Sequence, residues 1–220
     1  MILEIPDLLT PEELKYLQNV GTNASFSDGR LTNPHNKTKN NQQIDYSSSD
    51  YQKSSQLIMA ALYRNQNFQN FAMPNRMAPP LVCKYEIGMA YGIHNDQAHL
   101  QMDKQLPLRS DISITVFLAS KSSYDGGELV IHLESESVKV KLEAGSAVIY
   151  PSTHLHEVAK VTRGERLVSI TFVESRVSEE RKRHMIYTLG EVSALEGLTM
   201  KHENRIKLEV VKQNLIRLWS

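Results

Sequence analysis

From Leu81 onward, short apolar runs alternate with turn signals. The runs are Leu81 to Ile87, Asp111 to Leu118, Glu128 to His132, Val138 to Leu142, Ser146 to Tyr150, Glu157 to Val161 and Arg166 to Glu174. Each is of strand length, and Asp125-Gly126-Gly127 and Glu143-Ala144-Gly145 supply tight turns between neighbours. Short strands at this density, with no helical pattern between them, predict a sandwich or barrel rather than βαβ units. We therefore expect a mainly β protein with flanking helices, its core over 81–176 being a double-stranded β-helix, or jelly roll.

The flanks read differently. Thr10-Pro11-Glu12-Glu13 is a capped helix start, with Leu14, Leu17 and Val20 marking the buried face. Leu57, Ile58, Ala61 and Leu62 predict a second helix over 54–63. Between the two, Gly21 to Asp50 is rich in Asn, Ser, Gly, Lys and Gln, with room for a short strand over 42–44 that no periodicity supports. A loop of that length calls for an explanation, either a solvated insertion or a lid over an active site. Asn65 to Asn70 and the prolines Pro74, Pro79 and Pro80 predict a break in regular structure. Residues 1–80 are thus read as an N-terminal helical and loop region packing on the core. A helix capped at Ser178 should run to Leu189, and Leu208, Val211, Leu215 and Leu218 mark another. Residues 177–220 are read as a C-terminal helical extension that closes one end of the core or joins a homodimer contact.

Composition narrows the partners. Hydrophobic residues make up 40% of 220, enough for a substantial core, and Lys+Arg 25 balances Asp+Glu 25. Nothing in that balance draws the chain to nucleic acid or to an anionic membrane, and neither is expected as a partner. Cys83 is the only cysteine, which excludes an internal disulfide framework and fits a reducing compartment. Met1 to Asp7 carries acidic residues and a proline where a signal peptide needs a basic start and an unbroken apolar run. No apolar stretch has the length to cross a bilayer, so the expected location is the cytoplasm.

Candidate chemistry gathers at two places. In an extended strand His94 and Asp96, two residues apart, present an imidazole and a carboxylate to one point. One further histidine would complete two imidazoles and a carboxylate on one face of a metal, the arrangement of non-haem Fe(II) oxygenases. His-x-Asp alone is a short motif that arises by chance. Context comes from His156, ten residues before Arg166, which opens the apolar strand Leu167 to Val173. A guanidinium there would hold the far carboxylate of a dicarboxylic co-substrate through two parallel hydrogen bonds. His154 competes with His156, and Arg163 with Arg166. His35, His99, His132, His184 and His202 have no ligand spacing.

Taken in order, these stretches resemble the bacterial PKHD-type hydroxylases, relatives of prolyl and lysyl hydroxylases among the Fe(II)/2-oxoglutarate-dependent dioxygenases. The matching runs are Tyr91 to Asp96, Arg109 to Leu118, Tyr124 to Leu129, Ala144-Gly145 through Tyr150-Pro151-Ser152 to His156, and Val161 to Arg166. Asn214 to Trp219 is similar to that family's tail. The resemblance implies the same jelly roll, with Fe(II) held by His94, Asp96 and His156 and the second carboxylate of 2-oxoglutarate on Arg166. Tyr85, nine residues before His94, matches a tyrosine that helps hold 2-oxoglutarate in similar prolyl hydroxylases; the other reading is a packed sheet aromatic. The family carries a small residue where His154 stands, which leaves that histidine as a group behind the ligands or a substrate contact. The implied reaction couples oxidative decarboxylation of 2-oxoglutarate to hydroxylation of a C–H bond in a peptidyl prolyl or lysyl side chain, with ascorbate as an auxiliary cofactor. Alternative readings are hydroxylation of a small-molecule metabolite and a non-catalytic sensor. A zinc hydrolase with similar ligands would have no use for Arg166.

Overall fold

Among the described residues, short strands pair into two large antiparallel sheets and a separate two-stranded ribbon, and helices cover the larger sheet. The computed structural model describes residues 1–33, 36–102 and 106–220. The first eighty residues hold β1 (Leu3–Ile5), α1 (Pro11–Asn23), β2 (Phe26–Asp28), β3 (Lys39–Asn40), β4 (Gln42–Ile44), α2 (Ser49–Arg64), α3 (Gln66–Ala72) and β5 (Pro74–Met77). Next come β6 (Leu81–Tyr85), β7 (Ala90–His94), β8 (His99–Leu100), β9 (Leu108–Arg109) and β10 (Ile112–Phe117). They are followed by β11 (Leu129–His132), β12 (Ser137–Val140), β13 (Ala147–Pro151), β14 (Leu155–Val158) and β15 (Arg166–Ser175), then α4 (Glu180–Glu196) and α5 (His202–Trp219).

Among the described residues the larger sheet runs β1-β13-β10-β15-β6-β4-β2, with β5 also on β15, and the smaller runs β12-β11-β14-β7-β3. This is the mainly β, helix-flanked jelly roll expected from the alternating runs. Leu129, Ile131, Val140 and Val158 of the smaller sheet join Ile112, Ile114 and Val168 of the larger in one hydrophobic cluster. On the outer face of the larger sheet, Leu17 and Val20 of α1 and Ile58, Ala61 and Leu62 of α2 are buried. Gly21 lets α1 lie close, since a Cβ there would meet Leu167 Cδ2 at 2.2 Å. The capping box expected at Thr10 is present: Glu13 N donates to Thr10 Oγ1 and Thr10 N to the Glu13 carboxylate.

Several local expectations need correction. The polar stretch after α1 is no featureless loop: β2 and β4 extend the larger sheet beside β6, while β3 extends the smaller sheet beside β7. It lies along the edges of both sheets, and its inward side chains are polar but buried, as with Lys39, Asn41 and Gln43. A hydrophobic period cannot reveal such strands. His35 lies outside the described residues. Asn65 does not break the helical region; its side chain accepts from Phe68 N and starts α3, which buries Phe68 and Phe71. Helix α4 begins after Glu179 with no side-chain cap, and the expected cap Ser178 lies one residue earlier, where its carbonyl accepts from Arg183 Nη1 at 2.6 Å. Strand β14 begins at Leu155, two residues before the expected start, because the chain turns at Ser152 and Thr153. Helix α5 packs against α4 and buries none of its residues fully. Among the described residues no helix is long and apolar enough to cross a membrane.

Candidate metal centre

The site begins with strand register. His156 of β14 pairs directly with His94 of β7, and directly opposed residues of antiparallel strands project to the same face. Their rings lie 4.3 Å apart, centre to centre. Asp96, two residues past His94, brings its Oδ2 to 3.7 Å from His156 Nε2. One ligand atom from each of His94, Asp96 and His156 lies within 4.8 Å of the others. Tyr150 of the opposite sheet meets the His156 ring edge-on at 5.3 Å, so the cluster faces the interior between the sheets.

Backbone geometry selects the useful tautomer. His94 Nδ1 stands 2.7 Å from Gly92 O, and His156 Nδ1 3.0 Å from His154 O. A carbonyl only accepts, so both Nδ1 atoms carry the proton and both Nε2 atoms keep a lone pair. Burial, reinforced by the nearby His156, pushes the His94 pKa down to about 4, which keeps that ring neutral. Tyr91 stacks on His94 at 3.6 Å and 16°, and Asn33 Nδ2 donates to the Tyr91 hydroxyl at 3.0 Å.

Asp96 is held by serines. Ser113 Oγ donates to Asp96 Oδ2, which leaves Ser152 Oγ to donate to Ser113 at 2.7 Å, while Ser110 Oγ donates to Ser152 at 2.9 Å. This relay orients the carboxylate. Burial raises the Asp96 pKa, opposed by His156 and by the Ser113 hydrogen bond. A bound cation would reverse that shift and favour the carboxylate. Two imidazole lone pairs and one carboxylate, without a thiolate, make a donor set suited to Fe(II) with open positions.

Arg166 opens β15 directly opposite Tyr85 of β6. Its side chain is 1% exposed, and its Nε has no hydrogen-bond partner among the described residues. Its guanidinium carbon lies 4.9 Å from the Tyr85 ring centre and 5.9 Å from that of Phe117. Beside it lies the buried Tyr124 hydroxyl, whose pKa burial raises and the Arg166 guanidinium lowers in opposition. Gly127, at φ +67°, makes room here: a Cβ would stand 3.0 Å from Arg166 Cδ and 3.1 Å from Tyr124 Cε2. Tyr150 links the two regions, since it feels the charges of both Asp96 and Arg166.

The competing residues lie elsewhere. His154 sits in the bend before β14 and directs Nε2 toward Glu180 Oε1 at 3.8 Å, an oxygen that also accepts from the N-terminal amine at 3.2 Å. Arg163 pairs with Asp125 at an exposed turn. His132 faces Glu157 at 3.6 Å, and His99, His184 and His202 are exposed. Residues that sequence reasoning missed are Ser113, Tyr124, Tyr150 and Ser152. Tyr124 begins the Tyr124-Asp125-Gly126-Gly127 turn and could have been noticed there; for the others, serine or tyrosine in a polar or alternating run is no distinctive signal.

Comparison with known proteins agrees with this geometry. Residues 80–174 match the model of the 2OG-Fe(II) oxygenase superfamily. A PKHD-type hydroxylase of Sphingopyxis alaskensis is 39% identical over 219 residues, 99% of each chain. Among solved structures, a Pseudomonas putida prolyl-4-hydroxylase is similar over 79% of this chain and 92% of its own, with 18% identity and a TM-score of 0.54. A Trichoplax adhaerens prolyl hydroxylase, in complex with a hypoxia inducible factor peptide fragment, is similar over 84% and 86%, with 16% identity and a TM-score of 0.57.

Proposed function

Because this chain belongs to the PKHD-type hydroxylases, within the 2OG-Fe(II) oxygenases, we propose that it hydroxylates a C–H bond of a peptidyl prolyl or lysyl side chain, using Fe(II) on His94, Asp96 and His156 and 2-oxoglutarate on Arg166. The observation that carries the reading is the Arg166 side chain, fully buried without a carboxylate partner among the described residues, in the same interior as the His94, Asp96 and His156 cluster. A buried guanidinium without an anion is unfavourable, and a dicarboxylic co-substrate would supply one.

Bound together, Fe(II) and 2-oxoglutarate supply oxygen activation, coupling decarboxylation to succinate with C–H hydroxylation. The chain's part is to bind and orient. His94 and His156 offer Nε2 lone pairs fixed by their Nδ1 hydrogen bonds, and Asp96 offers a carboxylate fixed by Ser113. Arg166 would grip the distal carboxylate, with Tyr85 packed over the guanidinium as the second co-substrate residue. Phe117 and Tyr150, both buried, help exclude water. Ascorbate belongs to this reading as the reductant that keeps the metal ferrous. The peptidyl substrate is supported by the peptide bound to the Trichoplax relative.

The test is to incubate the protein with Fe(II), 2-oxoglutarate, oxygen and a panel of prolyl and lysyl peptides. Succinate should form together with a mass gain of one oxygen on a peptide. Succinate coupled to oxidation of a small metabolite alone would overturn the peptidyl assignment, and no succinate under any condition would overturn the reading.

A further inference from the structure

Lys39 is a buried charged group beside Tyr91, and neither the metal cluster nor the Arg166 site accounts for it. Its side chain is 5% exposed, although it stands on an edge strand. Nζ donates to Thr32 Oγ1 at 2.6 Å and lies 5.4 Å from the centre of the Tyr91 ring, the ring that stacks on His94. No ion pair to Lys39 forms among the described residues. Of the acidic groups that face it, the buried Cys83 thiol is pushed up to about 11 and stays neutral, Asp96 belongs to the metal cluster, and Asp28 is paired with Arg30.

Charge matching then becomes informative. In the proposed site a divalent ion and the Arg166 guanidinium are balanced by the Asp96 carboxylate and the two carboxylates of 2-oxoglutarate. The Lys39 ammonium is left over, in a place where an unpaired charge is strongly unfavourable. Resting on that reading of the site, we propose that Lys39 receives a carboxylate of the primary substrate. The preferred substrate is then a prolyl segment that presents an acidic side chain or a free C-terminus near the target residue. A cationic lysyl side chain would be repelled, so this inference divides the two substrate classes named above.

Binding to the full-length protein, loaded anaerobically with Mn(II) and 2-oxoglutarate, tests it by calorimetry. Four probes suffice: a short prolyl peptide with an adjacent Glu and an amidated end, the Gln version with a free carboxylate, the Gln version amidated, and a lysyl analogue of the last. At least one of the first two should bind about tenfold or more tighter than the neutral peptide, as an interior charge pair provides, and the lysyl peptide weakest. Which of the two binds identifies the source of the carboxylate. Lys39→Met should abolish that preference and leave 2-oxoglutarate affinity unchanged, and Lys39→Arg should retain part of it. Because Lys39→Met removes an unpaired buried charge, it should melt no lower than the wild type. Equal binding or no binding of all four probes, loss of 2-oxoglutarate affinity in Lys39→Met, or marked destabilisation of that variant would each overturn the proposal. If the wild type binds no 2-oxoglutarate, the function proposed above falls as well.

Discussion

Replacing Arg166 with alanine separates an oxygenase site from a jelly roll that merely binds metal. Arg166 is 1% exposed, so a guanidinium–carboxylate pair formed there would be fully desolvated. Truncating one partner of such a pair costs about 2 to 5 kcal/mol, or roughly 30-fold to 4,000-fold in affinity. Metal binding should persist, because Arg166 lies outside the cluster of His94, Asp96 and His156. The two effects can be read separately. Anaerobic titration of the Fe(II)-loaded protein gives 2-oxoglutarate affinity directly, and thermal melting gives an independent measure. Ligand at about 100 times Kd stabilises the wild type by about 2.7 kcal/mol; a 30-fold loss of affinity would reduce that to under about 1 kcal/mol at the same concentration. Arg166→Lys should recover part of the binding through charge, without the paired hydrogen bonds of the guanidinium. Equal 2-oxoglutarate affinity in the wild type and Arg166→Ala would refute the reasoning.

Other predictions follow from the same geometry. His156→Ala should abolish Fe(II) binding while His154→Ala leaves it intact, since only His156 faces His94 and Asp96; metal titration of the two variants decides. Ser113→Ala should weaken metal binding about 10-fold to 100-fold by freeing the Asp96 carboxylate, with little change in fold by circular dichroism. Gly127→Ala should destabilise the protein by about 1 to 2 kcal/mol in urea unfolding, because φ +67° disfavours a side chain and the added Cβ presses on Arg166. Glu174, with its pKa lowered to about 2 chiefly by the Arg76 hydrogen bond, should contribute stability fully above its unfolded pKa near 4.5 and lose it as pH falls toward 2. Glu174→Gln should therefore flatten the acid limb of a stability-against-pH curve and lower stability near neutrality by about 1.5 to 3 kcal/mol.

What could be read directly from the chain was whatever depends on neighbours in sequence. Alternating apolar runs specified strands, because side chains two apart share a face; the close spacing of His94 and Asp96 likewise pointed to one cluster, although Asp96 lies just past the end of β7. The Thr10 capping box is likewise local, complete within four residues. Tertiary structure decided the rest. His154 and His156 were rivals under strand alternation, but His154 lies in a bend where alternation does not hold, and its Nε2 lies 3.8 Å from Glu180, away from the cluster. Arg163 and Arg166 differ by the same kind of fact, an exposed turn pairing with Asp125 against a buried strand opposite Tyr85. The relay from Ser110 through Ser152 and Ser113 to Asp96 joins residues that meet only when β10 lies against β13 and the segment after β7 folds over them. Least legible was the polar stretch holding β3 and β4. Lys39, Asn41 and Gln43 face inward, and polar residues that line a site leave no hydrophobic period by which to find them.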